Sequence, residues 1–250
     1  LRPWQPRLAV IDSSGIAPKP ESPQRYVGVP GMNEVCRHLA RRVEHRLQWR
    51  VERLWPCEGG WALGNSDGEE QRARRVLVTA PPEQTVALLE GVPGVTCPDA
   101  LRSVCMRPCW ALMAQFDQSL LDDYDAAFVN DGPISWVSSQ RSRGERPAAD
   151  AWVIHASPDW SEAHLERDPE WVAATLLEHA LSLAGARGSL QVQRALAHRW
   201  RYAIAASPLA AGAVSVAGNA LVAAGDWACG SRVEGAWLSG RAAARALSAD

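Results

Sequence analysis

The spacing of apolar residues along the chain predicts first a helix and then a β-hairpin. Apolar side chains recur at helical intervals at Met32, Val35, Leu39 and Val43, directly after a Gly/Pro turn. This spacing predicts an amphipathic helix. The segment 48–79 then alternates in the manner of strand, turn, strand and polar turn. It closes with an apolar strand at 76–79 that is stopped by two prolines.

The middle of the chain carries a succession of strand-like runs. The phrases CWALMAQFD, AAFVND, ISWVSSQ and AWVIHAS are separated by polar turns. Such a series predicts an antiparallel sheet. Asp168 followed by Pro169 is typical of a helix start, and the helix that we expect there has an apolar stripe that ends at Leu183.

The end of the chain combines a strand with a helix of small residues. An apolar strand at 220–224 leads into Gly225 and Asp226, and after a short polar loop the helix begins near Val233. In open α/β folds, ligands bind beyond the carboxyl ends of strands. Gly225 removes a side chain where a bulky ligand would pass, and the Asp226 carboxylate can accept hydrogen bonds from hydroxyl groups. The first N–H groups of the helix favour an anion or an acceptor oxygen.

Composition limits the classes of function. The chain of 250 residues is 47% hydrophobic and 22% charged, with a formal net charge of −2. These values are typical of a globular protein and predict neither a membrane span nor general binding to nucleic acid. The arginine-rich run 37–53 contains interrupting glutamates, so we interpret it as a solvated helix face. Six scattered cysteines lack the CxxC spacing of a zinc site and indicate the reduced thiols of a cytoplasmic protein.

Several catalytic motifs are absent or occur in the wrong context. The residues Gly64 to Gly68 spell G-x-S-x-G, but a strand follows them where a nucleophile elbow requires a helix, so we predict a hairpin turn. The six histidines show no metal-ligand spacing. His155 is interpreted as a structural residue of the sheet, with a catalytic role as the alternative. The chain contains no G-x-x-x-x-G-K-[ST] and no G-x-G-x-x-G.

The segment AAGDWACGSRVEGAWLSGRAAARAL, at 223–247, resembles the C-terminal FAD-binding segment of the flavin amine oxidase and renalase-like superfamily. In that superfamily, Gly-Asp or Gly-Glu is followed by a loop and G-A-x-x-S-G-x-x-A-A. The phrases VPGMNEVCRHLARR, RVLVTAPPEQTVALL and HRWRYAIA occur in the order expected of bacterial renalase-like NAD(P)/FAD-dependent oxidoreductases.

The resemblance implies an α/β (α+β) fold. We expect a Rossmann-like FAD/NAD(P)-binding domain from residues 27–98 and 206–250, and an antiparallel-sheet substrate domain from residues 1–26 and 99–205. The family begins with a strand, a G-x-G-x-x-G turn and a helix. Because this chain has no such turn, we expect its nucleotide-binding domain to be incomplete at the N-terminus.

The resemblance also implies the cofactor, FAD, and the residues near it. Asp226 would bind ribityl hydroxyls, and the amides from Val233 to Ala236 would meet the flavin N1/O2 edge, where hydride transfer places negative charge. The complete predicted cofactor set is Val51, Ala80, Pro81, Gly225, Asp226, Arg232, Val233, Glu234, Gly235, Ala236 and Ser239. The candidates for a substrate wall are Trp136, Trp200, Arg201 and Tyr202, with the sheet core as their alternative place.

The implied reaction is hydride transfer from a small-molecule substrate to FAD, with reoxidation by O₂ to hydrogen peroxide. Both a dihydronicotinamide and an amine remain possible substrates. Neither nucleic acid nor a membrane is an expected partner, and no catalytic residue and no metal ligand is predicted. The alternative is a truncated or split flavoprotein fragment that has no activity of its own and binds a partner through exposed sheet edges.

Overall fold

A computed structural model of the chain describes residues 1–20, 23–144, 150–183, 185 and 190–249. The described chain divides into two compact units. Unit 1 contains Leu1–His45 and Pro108–Arg201, and unit 2 contains Arg46–Arg107 and Tyr202–Asp250.

Strands account for most of the regular structure. Within the described residues, the strands are β1 (Arg2–Trp4), β2 (Leu8–Asp12), β3 (Gly15–Pro18), β4 (Arg25–Val27), β5 (Arg53–Cys57), β6 (Gly60–Gly64), β7 (Glu70–Ala73), β8 (Val76–Val78), β9 (Met106–Phe116), β10 (Ala126–Val129), β11 (Ile134–Ser139), β12 (Asp150–Ala156), β13 (Val192–Ala205), β14 (Val214–Ala217) and β15 (Leu221–Ala223). The helices of the same residues are α1 (Glu34–Ala40), α2 (Pro82–Leu89), α3 (Asp99–Arg102), α4 (Pro158–Ala163), α5 (Pro169–Leu183) and α6 (Val233–Ser248). Short 3-10 turns lie at Arg141–Arg143 and Asp226–Ala228.

The main sheet has seven strands in the order β13-β9-β12-β11-β10-β2-β3. Four of the strands, β9 to β12, come from the phrases in which the sequence predicted an antiparallel sheet, and the pairs β9–β12, β12–β11 and β11–β10 are antiparallel. The pair β10–β2 is parallel, so the sheet as a whole is mixed. The mixed α/β fold with antiparallel sheets is therefore confirmed.

Helix α5 covers one face of this sheet. Its first turn is capped by Asp168, whose Oδ1 accepts hydrogen bonds from the N–H groups of Glu170 at 2.8 Å and Trp171 at 3.3 Å. The buried positions Val172 and Leu176 contact a core that is built mainly by strands β9 to β12. The helix that the Asp-Pro pair predicted is thus confirmed, together with its apolar stripe.

Unit 2 contains two small sheets. Strands β5, β6 and β7 form an antiparallel sheet, and β14, β15 and β8 form another, in which β15 and β8 run parallel. Its core includes Leu54, Trp61, Leu221 and Trp227. The turn between β6 and β7 contains the G-x-S-x-G sequence, so the hairpin prediction is confirmed.

The structure differs from the sequence prediction around the first helix. Helix α1 has only the seven residues Glu34–Ala40 and buries none of them. The predicted apolar stripe lies in solvent, since Met32, Leu39 and Val43 are 39%, 46% and 61% exposed. The pattern was amphipathic, but no core covers it within the described residues.

The domain boundaries also differ from those that we assigned. Residues 27–45 were placed with the FAD-binding domain, whereas they belong to unit 1. The reason is local pairing, because β4 at Arg25–Val27 forms an antiparallel ladder with β1 at Arg2–Trp4. This ladder ties the start of the segment to the N-terminal strands of unit 1.

Cysteine side chains are free thiols throughout the described residues, in agreement with the scattered spacing. Cys109 is buried in β9, and burial raises the pKa of its thiol to about 11. Among the described helices, none has both the length and the apolar character that crossing a bilayer requires.

Candidate cofactor site

The carboxyl ends of two parallel strands meet at one edge of a sheet in unit 2. Leu221 and Ala223 of β15 are paired with Val76 and Val78 of β8, and the N–H of Ala224 donates to the Val78 carbonyl at 3.0 Å. The turns that follow the two strands therefore leave from the same edge. The predicted residues Ala80 and Pro81 stand in one turn, and Gly225 and Asp226 stand in the other.

Gly225 makes room for a protein side chain. Its backbone is extended, with φ at 172°, and a Cβ at this position would lie 2.2 Å from Nε1 of Trp227. Trp227 is 1% exposed, and its Nε1 has no hydrogen-bond partner among the described residues. The indole of Trp227 therefore occupies the space into which a side chain at position 225 would project.

The small residues of α6 hold the helix against its neighbours. The buried Ser239 Oγ accepts from the N–H of Gly225 at 2.9 Å and donates to the Gly212 carbonyl at 2.5 Å. A Cβ on Gly235 would lie 2.9 Å from the carbonyl oxygen of Cys229. Close packing of the small-residue face is thus confirmed. Both hydrogen bonds of the Ser239 hydroxyl go to the protein backbone, so this side chain holds the helix start.

The first turn of α6 offers three amides. The N-cap residue, Arg232, makes no side-chain capping hydrogen bond. The N–H of Ala236 already donates to the Arg232 carbonyl at 2.9 Å, so Ala236 does not belong to the predicted set of free amides. The N–H groups of Val233, Glu234 and Gly235 precede it and have no acceptor among the described residues.

Asp226 presents an unpaired carboxylate beside this helix. Its backbone carbonyl accepts hydrogen bonds from the N–H groups of Cys229 at 3.0 Å and Ser231 at 2.9 Å, which closes the loop. Its side chain is half-buried and has no hydrogen-bond or ion-pair partner among the residues that the structure describes. A carboxylate that the fold leaves unused can accept hydrogen bonds from a ligand.

A cleft of about 430 Å³ brings Val51 and Ala80 together. The sequence predicted that both lie near the cofactor, although they are 29 positions apart in the chain. The other lining residues were not predicted, and they are Arg50, Glu52, Gln84, Ala87 and Leu88. The spacing of the last three along α2 was the signal that could have identified them, since residues three and four apart share a helix face.

Three of the residues predicted to form a substrate wall are consecutive in strand β13. Trp200 and Tyr202 are on alternate positions of β13, with Arg201 on the opposite face between them. Arg201 donates to Glu166 at 2.6 Å. Trp200 is 56% exposed and stands edge-on to His198, with ring centroids 4.6 Å apart. Arg201 is thus bound by an acidic side chain of its own unit.

Trp136 lies in the main sheet of unit 1, on the face opposite the α5 core. It is directly opposite His155 in the β11–β12 register and packs against Phe128, with ring centroids 4.7 Å apart. Burial, and to a smaller degree the charge of Arg143, lowers the pKa of His155. His155 is thus a partly buried residue of the sheet, which agrees with the structural interpretation.

Metal ligands do not cluster in the described residues, where no group of three or more His, Cys, Asp or Glu side chains could hold an ion. The site is therefore one of backbone amides, one carboxylate and a cleft.

Solved structures with a similar fold are oxidases by their names. A proposed protoporphyrinogen oxidase from Exiguobacterium sp. 255-15 matches with a TM-score of 0.64 and 19% identity over 87% of this chain and 50% of that chain. Cyclohexylamine oxidase from Brevibacterium oxydans IH-35A matches with a TM-score of 0.60 and 15% identity over 87% and 51%. An engineered putrescine oxidase matches with a TM-score of 0.61 and 15% identity over 88% and 53%. This chain spans about half the length of these structures.

The model of one protein family matches most of the sequence. The family is the flavin containing amine oxidoreductases, and the match runs over residues 19–248. It includes both strands of the shared edge and the whole of α6. The chain therefore belongs to the flavin containing amine oxidoreductase family, whose enzymes use FAD.

Proposed function

We propose that this chain supplies the flavin-side part of an FAD-dependent oxidase of renalase type. The observation that carries the proposal is the unpaired Asp226 carboxylate, which lies at the edge shared by β8 and β15 and precedes an α6 helix with three free amides. Membership of the family supports an oxidoreductase that acts on a small molecule. The type of substrate and the use of O₂ are parts of the proposal.

The donor set at this edge fits FAD chemically. The cofactor carries a polyhydroxyl chain, and a carboxylate without an internal partner is an acceptor for such hydroxyls. An uncapped helix N-terminus stabilises negative charge near Val233, Glu234 and Gly235. The cleft that contains Val51 and Ala80 offers an apolar surface for an aromatic ring. We assign Asp226, Val51, Ala80, Pro81, Arg232 and the three amides to cofactor binding.

When bound, the flavin supplies the acceptor for a hydride. The chain's own contribution is to bind and orient. Asp226 would hold hydroxyl groups of the cofactor, and the amides of α6 would stabilise negative charge that the reaction places near them. Ser239 and Gly235 hold the helix start in place by their contacts with backbone.

We propose a dihydronicotinamide as the substrate, with an amine as the alternative. A dihydronicotinamide has no O–H or N–H proton that must leave with the hydride, so it needs no general base. The proposal agrees with the absence of a predicted acid/base pair in the sequence. In the proposed reaction the C–H bond of the substrate would give up a hydride, and O₂ would finally accept two electrons and two protons to form hydrogen peroxide.

Titration of the protein with FAD tests cofactor binding. We expect the flavin fluorescence to be quenched as FAD binds. The variant Asp226→Asn keeps the shape of the side chain but loses its charge, and the dissociation constant should rise by about 10-fold to 100-fold, as for a hydrogen bond to a charged group. The matched control is Asp67→Asn, which changes an exposed carboxylate in the β6–β7 turn of the same unit.

Two outcomes contradict the proposal. One is a wild-type protein that leaves the fluorescence of FAD unchanged up to millimolar protein. The other is an Asp226→Asn variant that binds as tightly as Asp67→Asn. Once binding is established, anaerobic mixing with a dihydronicotinamide or an amine shows which of them bleaches the flavin absorbance. Admission of O₂ should then restore the absorbance and produce hydrogen peroxide.

A further inference from the structure

The cleft of about 430 Å³ that contains Val51 and Ala80 is lined by two separate parts of unit 2. One part is the stretch 50–52, which leads into β5, and the other is the turn after β8 with one face of α2. On α2, Gln84 and Leu88 are four residues apart and therefore lie side by side on that face. The cleft is thus formed within a single unit.

Gln84 is the polar side chain of α2 that the fold leaves unused. The Oε1 atom of its neighbour Glu83 accepts a hydrogen bond from the N–H of Met106 at 3.0 Å. The hydroxyl of Thr85 donates to the Ala80 carbonyl at 3.1 Å. The Gln84 amide lines the cleft and has no hydrogen-bond partner among the residues that the structure describes. It therefore offers an acceptor oxygen and a donor nitrogen to a ligand in the cleft.

The charges in the lining of the cleft oppose each other. They belong to Arg50 and Glu52, whose Nε and Oε1 atoms are 4.0 Å apart. One cation and one anion give the lining no net charge, whereas a site for phosphate needs an excess of positive charge. Apart from Gln84, the other lining residues are apolar, and they are Val51, Ala80, Ala87 and Leu88. The cleft therefore fits a neutral ring better than a phosphate group.

FAD carries two ring systems, and the proposed function assigns the flavin ring to the edge with Asp226 and α6. The ring that remains for the cleft is adenine. Adenine presents a donor, the N6 amino group, beside an acceptor, the N7 atom. A side-chain amide matches this pair, because its oxygen accepts from N6 and its nitrogen donates to N7. In the lining of the cleft, Gln84 is the residue that carries both kinds of group in one side chain.

The same amide discriminates against guanine. Guanine presents two acceptors, O6 and N7, where adenine presents a donor and an acceptor. The amide nitrogen of Gln84 can donate to one of them, but the amide oxygen would then face the other without a proton between them. Arginine carries donors only and pairs with both acceptors of guanine. The residue at position 84 therefore decides which purine the cleft accepts.

We propose that Gln84 selects the adenine ring of the cofactor by hydrogen bonds to its N6 and N7 atoms. The proposal rests on the proposed function, because FAD binding is what brings an adenine ring to unit 2. It adds a residue that reads the base, at the end of the cofactor where no reaction takes place. This contact would also favour FAD over FMN, since FMN has no adenine ring.

Nucleotides without a flavin test the cleft alone. In calorimetric titrations, the dissociation constant of the wild type for GDP should be about 5-fold to 150-fold higher than for ADP, as expected for one bidentate base contact. In Gln84→Ala, ADP should bind as weakly as GDP. In Gln84→Arg, the order should reverse, with GDP bound more tightly. The matched control is Gln71→Ala, which removes an exposed amide from β7 of the same unit and should keep the preference of the wild type.

Titration with FAD and with FMN, followed by flavin fluorescence, separates the two ends of the cofactor. Gln84→Ala should raise the dissociation constant for FAD and leave that for FMN unchanged. Asp226→Asn should weaken the binding of both, because both carry the ribityl hydroxyls. A substitution that merely disturbed the fold of unit 2 would weaken both as well. A loss that is confined to FAD therefore assigns the Gln84 contact to the adenine end.

Three results would overturn the role of Gln84. They are a wild-type protein that does not bind ADP more tightly than GDP, a Gln84→Ala variant that prefers ADP as strongly as Gln71→Ala does, or a Gln84→Ala variant that loses FMN together with FAD. The proposed function fails by a different result. If ADP binding depends on Gln84 but FAD binding does not depend on Asp226, the base contact stands and the flavin end is assigned wrongly.

Discussion

Two turns of unit 2 follow a glycine and carry an acidic residue, yet the structure uses their carboxylates in opposite ways. In the β6–β7 turn, Glu69 accepts hydrogen bonds from Arg46 at 2.6 Å, Trp49 at 2.6 Å and Asn65 at 2.7 Å. In the turn after β15, the Asp226 carboxylate has no partner among the described residues. The Glu69 carboxylate is thus occupied by hydrogen bonds from the protein, whereas the Asp226 carboxylate is free to bind a ligand.

Hydrogen-bond satisfaction distinguishes a structural turn from a candidate binding site. The G-x-S-x-G sequence looked like a catalytic motif, but its polar groups satisfy one another. Asn65 Oδ1 accepts from the N–H groups of Asp67 at 3.0 Å and Glu69 at 2.9 Å. The loop after Gly225 is closed by bonds that do not involve the Asp226 side chain, so its carboxylate is free. Removal of the polar side chains of the β6–β7 turn should therefore lower the stability of the fold. Removal of the Asp226 carboxylate should instead weaken the binding of a ligand.

The largest loss of stability is expected for Asn65→Ala. Asn65 is 5% exposed and makes three hydrogen bonds within its turn. Their removal leaves two backbone donors without an acceptor, and the free energy of unfolding should fall by about 2–3 kcal/mol. Urea denaturation measures it. The neighbouring Asp67→Ala is the control, and an equal loss in both variants would contradict the assigned role of Asn65.

A smaller loss is expected for Gly235→Ala. The new Cβ would lie 2.9 Å from the Cys229 carbonyl oxygen, so the helix start must shift, at a cost of about 1–2 kcal/mol. Gly240 lies in the same helix, and a Cβ there meets nothing within 4 Å. The control Gly240→Ala should therefore stabilise the protein by about 0.5–1 kcal/mol, through helix propensity. Thermal unfolding of both variants with the same sign would contradict the close approach at Gly235.

A fall in pH should reduce the contribution of the β6–β7 turn to the stability of the protein. Hydrogen bonds from Arg46 and then Trp49 lower the pKa of Glu69 from its ordinary value of 4.5. Because the folded state holds the carboxylate more strongly than the unfolded state does, the contribution of Glu69 is present above pH 4.5. It is lost as the pH falls through the lowered value. Denaturation midpoints measured between pH 7 and pH 3 should fall less steeply in Glu69→Gln than in the wild type.

The smallest effect on folding is expected for Asp226→Asn. A side chain without an internal partner contributes little, so the free energy of unfolding should stay within about 0.5 kcal/mol of the wild type. Combined with weaker FAD binding, this result would complete the contrast with Glu69. A large loss of stability in this variant would mean that Asp226 holds the loop together, and the comparison of the two turns would then fail.

The sequence predicted those features that depend on local chemistry. Asp168 and Pro169 marked the start of α5, and the alternation of β9 to β12 indicated an antiparallel sheet. The small residues of α6 indicated close packing, and Gly235 and Ser239 provide it. Each of these features follows from side-chain size, capping or periodicity within one element, so a single sequence is sufficient for them.

The features that the sequence missed depend on contacts between distant segments. The indole of Trp227 fills the space beside Gly225, and no pattern in GDWA distinguishes this arrangement from a space for a ligand. The exposed stripe of α1 had the correct periodicity but lacked a covering surface. Tertiary contacts also decided that Arg201 is bound by Glu166, since the two residues are 35 positions apart. Periodicity predicts on which face of a helix or strand a residue lies. It does not predict which other part of the protein covers that face.

The reactivity of the Cys109 thiol can report how often the main sheet opens locally around β9. A thiol with a pKa of about 11, buried between neighbouring strands, cannot react with an alkylating reagent while β9 is in place. Modification must wait for a transient local unfolding, so its rate measures how often that part of the sheet opens. The exposed Cys105, just before the strand, sets the rate for a thiol that needs no opening. The ratio of the two rates gives the opening free energy without any added denaturant.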